Sequence, residues 1–266
     1  MKVLGIDVGG SSIKGGLVDV AAGRLIGEME HVPTPKPSTP SAVMEQVAIL
    51  GGKFPRAQAV GFAFPSVVKN NVARTAANVD HAWIGADGVM LARSTLGLPA
   101  VFLNDADAAG LAEMRWGAGR DTPGTVIMLT FGTGIGTAMF TDGKLLPNTE
   151  FGHIEMHGKD AEEWASARVR TEQKLDFPEW IGRVNEYLAL IHALFWPDVF
   201  ILGGAVSERF DQFAPLLRSP AEIRPAHFGN QAGVMGAALA AAEALEGTPA
   251  SRPQSRQMSN APRLDP

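Results

Sequence analysis

Residues 2–19 read KVLGIDVGGSSIKGGLVD: an apolar run, a turn of glycine and serine, and a second apolar run. KVLGIDV predicts a buried strand over 2–8 with Asp7 near its end. The turn Gly9-Gly10-Ser11-Ser12 leads to a strand near 15–20 that ends at Asp19. Ala21-Ala22-Gly23 then turns the chain into a third strand, so the N-terminus predicts a β-meander rather than an immediate βαβ unit. The same style returns at 126–140, VIMLTFGTGIGTAMF, again with an Asp-Gly hairpin behind it. This internal symmetry is weak, and it predicts two similarly built lobes.

Outward from these units the chain alternates between helix and strand signals. HVPTPKPSTP, residues 31–40, carries four prolines and predicts an extended loop. Ser41 is placed to cap a helix over 42–50. A strand follows at 58–64, a short helix closes over Leu91 to Leu96, and another strand covers 100–103. Asn104 and Asp105 stand at its end, before an alanine-rich helix that runs to about Trp116. A long amphipathic helix is expected over 178–195, then a strand at 198–202 and the turn Gly203-Gly204. Trp180, Tyr187 and Trp196 suit a core or an interface, and the core is the simpler reading. The stretch 231–246 is alanine-rich and helical; from Gly247 onward little can be buried, which predicts a disordered tail.

The bulk numbers exclude several classes. The 266 residues, 45% hydrophobic, suffice for one large domain or two lobes around a cleft. A net charge of -5 offers no overall field for nucleic acid, so an anionic substrate needs a local basic site. With no cysteine, disulfides, thiolate metal sites and cysteine nucleophiles are out. No apolar run approaches the roughly 20 residues of a membrane span, and the first strand stands where a signal peptide would, so a cytoplasmic protein is expected.

Three glycine turns follow apolar strands: Gly9-Gly10-Ser11-Ser12, Gly132-Thr133-Gly134 with Gly136, and Gly203-Gly204. Without a Cβ, their backbone amides can approach phosphate closely. Each alone is equally consistent with a plain tight turn. FGTGIG resembles a dinucleotide fingerprint, but a strand rather than a helix is expected after it, and no GxxxxGK[ST] motif exists. Asp7 either caps the first turn or orients the waters of Mg²⁺; Lys14 either touches phosphate or is solvated. Asp105 either caps a helix or accepts a hydroxyl proton as a base, with Asn104 on a neighbouring hydroxyl and Asp107 serving the helix dipole. Residues 150–166, EFGHIEMHGKDAEEWAS, gather Glu150, His153, Glu155, His157, Asp160, Glu162 and Glu163. That cluster reads as a metal site, a sugar site or a solvated loop.

Taken in order, IDVGGSSIKGGLVD, LNDADAAG, LTFGTGIGTA, EFGHIE and ILGGAVS resemble the ROK family (repressor, open reading frame, kinase) over about residues 2–245. The resemblance implies an α/β, two-lobed actin-like ATPase (ribonuclease H-like) fold with a cleft between lobes. The small lobe would be 1–104 with 231–246 returning to it, the large lobe 105–230, and the tail 247–266. It implies a sugar kinase with Asp105 as catalytic base and Asn78, Asn104, Glu150, His153 and Glu162 as sugar ligands. Asp7, Gly9, Gly10 and Ser11 match the first phosphate loop, Gly132, Thr133 and Gly134 the second, and Gly203-Gly204 the glycine pair near the nucleotide. Many members carry a cysteine-rich zinc motif after the Gly-His pair; HGKDAEEW, residues 157–164, has none, so structural zinc is not expected and His153 is left to the sugar.

The cysteine-free GHIEMHGKDAE, the AANVDHAW segment and the short chain resemble the bacterial polyphosphate glucokinases and polyphosphate/ATP glucomannokinases. This implies glucose, with mannose left open, as acceptor, and polyphosphate, ATP or both as donor with Mg²⁺. It also implies a homodimer, with the 178–195 helix available to it. Arg168, Arg170 and Lys174 are candidates for a polyphosphate groove, with Arg170 and Lys174 sharing a helix face, or else form a solvated face. A strictly ATP-dependent glucokinase or mannokinase is the alternative. A repressor is disfavoured because the first strand begins at residue 2, and a non-catalytic sugar binder because Asp105 stands with both phosphate loops.

Overall fold

The structure, a computed structural model, describes residues 1–247. The tail expected beyond Gly247 lies outside the described residues. The chain opens with the meander: β1 (Lys2–Val8), β2 (Ser12–Asp19) and β3 (Arg24–Leu25), each antiparallel to the one before. β4 (Glu30–Pro33) pairs with the other end of β2, so part of the proline-rich segment is strand rather than loop. Helix α1 (Pro40–Gly51) follows, then β5 (Val60–Phe64), parallel to β1. A small ribbon, β6 (Val68–Lys69) and β7 (Val72–Ala73), precedes α2 (Gly88–Leu96) and β8 (Ala100–Asn104), which is parallel to β5.

Helix α3 (Asp105–Trp116) crosses to a second sheet of the same plan. There β9 (Thr125–Phe131), β10 (Ile135–Thr141) and β11 (Lys144–Leu146) form the meander. A second ribbon, β12 (Glu155–Met156) with β13 (Lys159–Asp160), leads to α4 (Glu162–Ala165), α5 (Ala167–Glu172) and α6 (Phe177–Phe195). Then β14 (Val199–Gly203) adds in parallel beside β9, α7 (Phe210–Phe213) intervenes, and β15 (Glu222–Pro225) closes the sheet. Helix α8 (Ala232–Glu246) ends the described chain. The strand orders, β3-β2-β1-β5-β8 and β11-β10-β9-β14-β15, are one topology used twice.

Alternation along the strands decides which helix lies on which face. Leu4, Ile6 and Val8 pack with Val43, Val47 and Leu50 of α1, while Val3 faces Val234 and Ala238 of α8. Likewise Ile127, Leu129 and Phe131 meet α6, while Val126 and Met128 meet Ala109 of α3. Thus α3 and α8 lie on the inner faces of the two sheets. Glycine permits the close approach: a Cβ on Gly5 would run into the Val234 carbonyl, one on Gly61 into that of Ala237, and one on Gly236 into that of Ala108.

Two local expectations change. Thr39, not Ser41, caps α1: its hydroxyl accepts the Ala42 N–H at 3.4 Å, and Pro40 takes the first helical position where its missing N–H costs nothing. Helix α6 buries Trp180, Ile181, Val184, Tyr187, Leu188 and Ile191, a 3.6-residue stripe spent on the core, but Trp196 beyond its end is 74% exposed. No helix among the described residues is long and apolar enough to cross a membrane.

Candidate active site

The first and second glycine turns, Asp105 and Gly203-Gly204 stand at the C-terminal ends of β1, β9, β8 and β14, the edge where ligands bind in open α/β sheets. Each arrives there for a local reason. Asn104 is the N-cap of α3: its Oδ1 accepts the Asp107 N–H at 2.9 Å, and its Nδ2 donates to the Ser66 carbonyl at 3.2 Å. Asp105 is therefore not the cap but the first residue inside the helix. Its carboxylate accepts the Ala106 N–H at 2.8 Å, and its own backbone N–H also stabilises the charged form. Burial pushes the Asp105 carboxyl up from 3.8 to about 7, and the charges of Asp7 and Glu150 add to the effect. A base held near neutrality fits the task of taking a proton from a hydroxyl.

Asp7 also has its carboxyl pushed up by burial, with Lys14 opposing at 3.8 Å. It lies on the face of β1 that meets α8, close enough that a Cβ on Gly233 would touch its carboxylate. The first turn is closed by Gly9 N–H donating to the Ser12 carbonyl at 3.0 Å. Thr34, just past the end of β4, clamps it, its hydroxyl donating to the Gly9 carbonyl at 2.6 Å and its N–H to that of Ser11 at 3.1 Å. Space around Gly10 is open. In the second turn Gly132 N–H donates to Gly134 at 3.0 Å, and the Arg168 N–H donates to the Gly132 carbonyl at 3.0 Å. Gly203 is paired in register with Thr130, beside that turn, and Gly204 adopts φ 84° against the Phe131 carbonyl, where only glycine fits.

The segment 150–162 folds back onto the second turn. Glu162 Oε2 accepts the Ile135 N–H at 3.2 Å, and a Cβ on Gly134 would collide with its carboxylate. His153 pairs through Nδ1 with Asp160 at 2.8 Å and lies 3.8 Å from Glu150 through Nε2. The Asp160 hydrogen bond, helped by Glu162 and Glu150, raises the His153 imidazole above its ordinary value. Burial raises Glu150. Among the described residues no three His, Asp or Glu side chains gather as a metal cage.

Other expectations fare differently. Asn78 is exposed in the loop after β7, and Asn104 has most of its amide committed, leaving one N–H. Arg170 lays its guanidinium over Phe177, 4.1 Å from the ring. Lys174 does not share its helix face: α5 stops at Glu172 and Lys174 is left-handed, φ 53°. Asp107 is no mere dipole residue. It is 2% exposed and accepts the Asn148 N–H at 2.8 Å, while burial pushes its carboxyl up to about 7. Asn148 in turn grips both the N–H and the carbonyl of Val68, at 2.7 and 2.9 Å, joining the β6–β7 ribbon to the irregular segment that enters Glu150. Nothing in the sequence marks Asn148; its partners lie 41 and 80 residues away. A cavity of about 850 Å³ lies by the hairpin turns at 20–22 and 142–143, at the opposite strand ends.

A family model described as the ROK family matches residues 3–174. The chain is 48% identical over 241 residues to a polyphosphate glucokinase of Mycobacterium tuberculosis, covering 89% of each. Among solved structures it matches the inorganic polyphosphate/ATP-glucomannokinase of an Arthrobacter strain at TM-score 0.88 and 45% identity, covering 91% of this chain and 99% of that one. A glucokinase of Streptomyces griseus, in complex with glucose and AMPPNP, matches at TM-score 0.79 and 25% identity, over 91% and 100%.

Proposed function

Because the chain belongs to the ROK family, we propose that it is a polyphosphate glucokinase, transferring a phosphoryl group from inorganic polyphosphate to glucose. The observation that carries this reading is the Asp105 carboxyl, held near 7 at a strand end with two glycine turns beside it. The C6 hydroxyl oxygen bonds to the terminal phosphorus of the donor while the P–O bond to the rest of the donor breaks. The hydroxyl proton passes to Asp105. Glucose 6-phosphate and a chain one phosphate shorter leave. Glu150, His153 and Glu162, with Asn78 and the remaining N–H of Asn104, are the partners for the other hydroxyls. The amides of Gly9, Gly10, Ser11, Gly132, Thr133 and Gly134 and the ammonium of Lys14 meet the phosphate oxygens.

Kinases of this kind use a divalent metal, and we assign it Mg²⁺ beside Asp7. The donor set suits that ion: Mg²⁺ is commonly held by one or two carboxylates together with substrate phosphates, and Asp7 is a half-buried carboxylate with Lys14 at 3.8 Å among the described residues. When bound, the ion neutralises charge on the transferring group. The lobes 1–104 with 231–246, and 105–230, are the units that close over the sugar. ATP as a second donor finds support in the Gly203-Gly204 turn and in the names of the solved relatives. The test is glucose 6-phosphate formation with polyphosphate or ATP as the sole donor. Turnover on ATP alone would overturn the polyphosphate assignment and keep the sugar kinase; no turnover on either would overturn both.

A further inference from the structure

We propose that the donor site continues past Lys14 to His31, which forms a subsite for phosphates behind the transferring one; this rests on the polyphosphate reading. The argument begins with register. Asp7 on β1 lies opposite Lys14 on β2, and Lys14 lies opposite His31 on β4. Residues directly opposite in adjacent strands project to the same face, so the three side chains form one row at steps of about 4.8 Å. The row starts at the carboxylate that faces the reacting group and ends at the edge of the sheet.

The same strand that carries His31 continues into Thr34, whose hydroxyl and N–H hold the first phosphate turn at 2.6 and 3.1 Å. Row and turn are therefore one piece. A chain of phosphates leaving the turn on this side meets Lys14 first and His31 next. His31 is exposed, and its imidazole can offer N–H donors to phosphate oxygens. The adjacent carboxylate is largely engaged elsewhere: Glu30 alternates to the other face and is bound by Lys53 at 2.6 Å, with His31 a smaller influence on it. A nucleoside triphosphate ends in a sugar and a base, whereas polyphosphate bears charge at every unit. Only the longer donor gains from a partner placed beyond the first phosphates.

The full chain and its His31→Lys and His31→Glu variants test this by initial rates at saturating glucose. The donors are long-chain polyphosphate, tripolyphosphate and ATP. We expect His31→Glu to raise the long-chain KM roughly threefold to tenfold, and His31→Lys to lower it, with smaller changes in tripolyphosphate KM and in kcat. The His31→Lys arm guards against a folding defect. If wild type uses polyphosphate but the ratio of long-chain to tripolyphosphate KM is the same in all three proteins, the subsite is wrong and the donor assignment stands. If wild type turns over ATP and no polyphosphate, both fall.

Discussion

Replacing Asp105 by Asn should destroy the enzyme and stabilise the protein, and the stabilisation should depend on pH in a defined way. The carboxyl titrates at about 7 in the folded chain, against 3.8 as its ordinary value. Below pH 3.8 it is neutral in both folded and unfolded states and carries no penalty. Between 3.8 and about 7 the unfolded chain ionises it and the folded chain does not, so wild type loses stability as pH rises; above about 7 the loss is complete. The difference corresponds to about 2–4 kcal/mol at pH 8, allowing for partial exposure. Asn keeps an acceptor for the Ala106 N–H and has no charge to bury. Thermal melts without donor or metal should show the variant about 5–10 °C more stable at pH 8, with about a third of that free-energy gain at pH 5. Glucose phosphorylation should fall by about 10²–10⁴ in kcat. Equal melting temperatures at pH 8, or a gain independent of pH, would refute the claim that burial holds this carboxyl high. Turnover within about tenfold of wild type would refute its role as base.

Asp107→Ala removes the acceptor of the Asn148 N–H. It should cost about 1–3 kcal/mol in chemical denaturation at pH 5 and raise glucose KM, because the segment entering Glu150 loosens. Gly236→Ala drives a methyl into the Ala108 carbonyl between α8 and α3. A loss of about 3 kcal/mol or more, read as a lowered melting temperature or insolubility, is expected. Gly10→Ala meets open space and should melt within about 1 °C of wild type, yet raise donor KM about fivefold or more by obstructing phosphate approach. Glu186→Ala releases both His157, at 2.9 Å, and the Trp164 indole, at 3.2 Å, which tie the ribbon and α4 to α6. Glucose KM should rise about fivefold with a smaller change in kcat, since Asp160 and Glu162 are carried on those elements.

The residues that were legible in the sequence are those whose constraint is local. A strand followed by glycine and then another strand fixes a tight turn wherever it occurs, so both meanders and their order could be read directly. Where two local solutions compete, the sequence leaves them level. In Asn104-Asp105-Ala106-Asp107 the sequence leaves Asp105 as either cap or base, and the cap goes instead to Asn104 because β8 ends on it and its amide also reaches Ser66. With the cap on Asn104, the Asp105 carboxylate is left available for the base role proposed for it. Arg170 and Lys174 carry the spacing of a helical pair, but no glycine or proline announces the stop at Glu172. Arg170 is drawn instead to Phe177, a contact that depends on how α6 enters. Asn148 is the hardest case: an Asn in a loop is ordinary, and its value lies wholly in long-range partners.

The repeated topology also shows how the work is divided. Superposing the registers makes Asp7 the counterpart of Thr130, Lys14 that of Gly136, and Ala63 that of Gly203. The first copy thus places a carboxylate and an ammonium across the end of its meander. In the second copy those places fall to a hydroxyl and a glycine, and a Cβ on Gly136 would press on Thr130. Backbone amides at a turn come with the topology and are available in both copies. Charge does not; it must be supplied by side chains, and at these register positions only the first copy supplies it. A second buried carboxylate with no ammonium opposite it would push the Asp105 carboxyl higher still, as the charges of Asp7 and Glu150 already do. A base that must lose its proton near neutral pH tolerates few such neighbours. If Asp105 is the base, as proposed, the neutral Thr130 and Gly136 help keep its carboxyl from rising further, a part complementary to that of the charged pair they mirror.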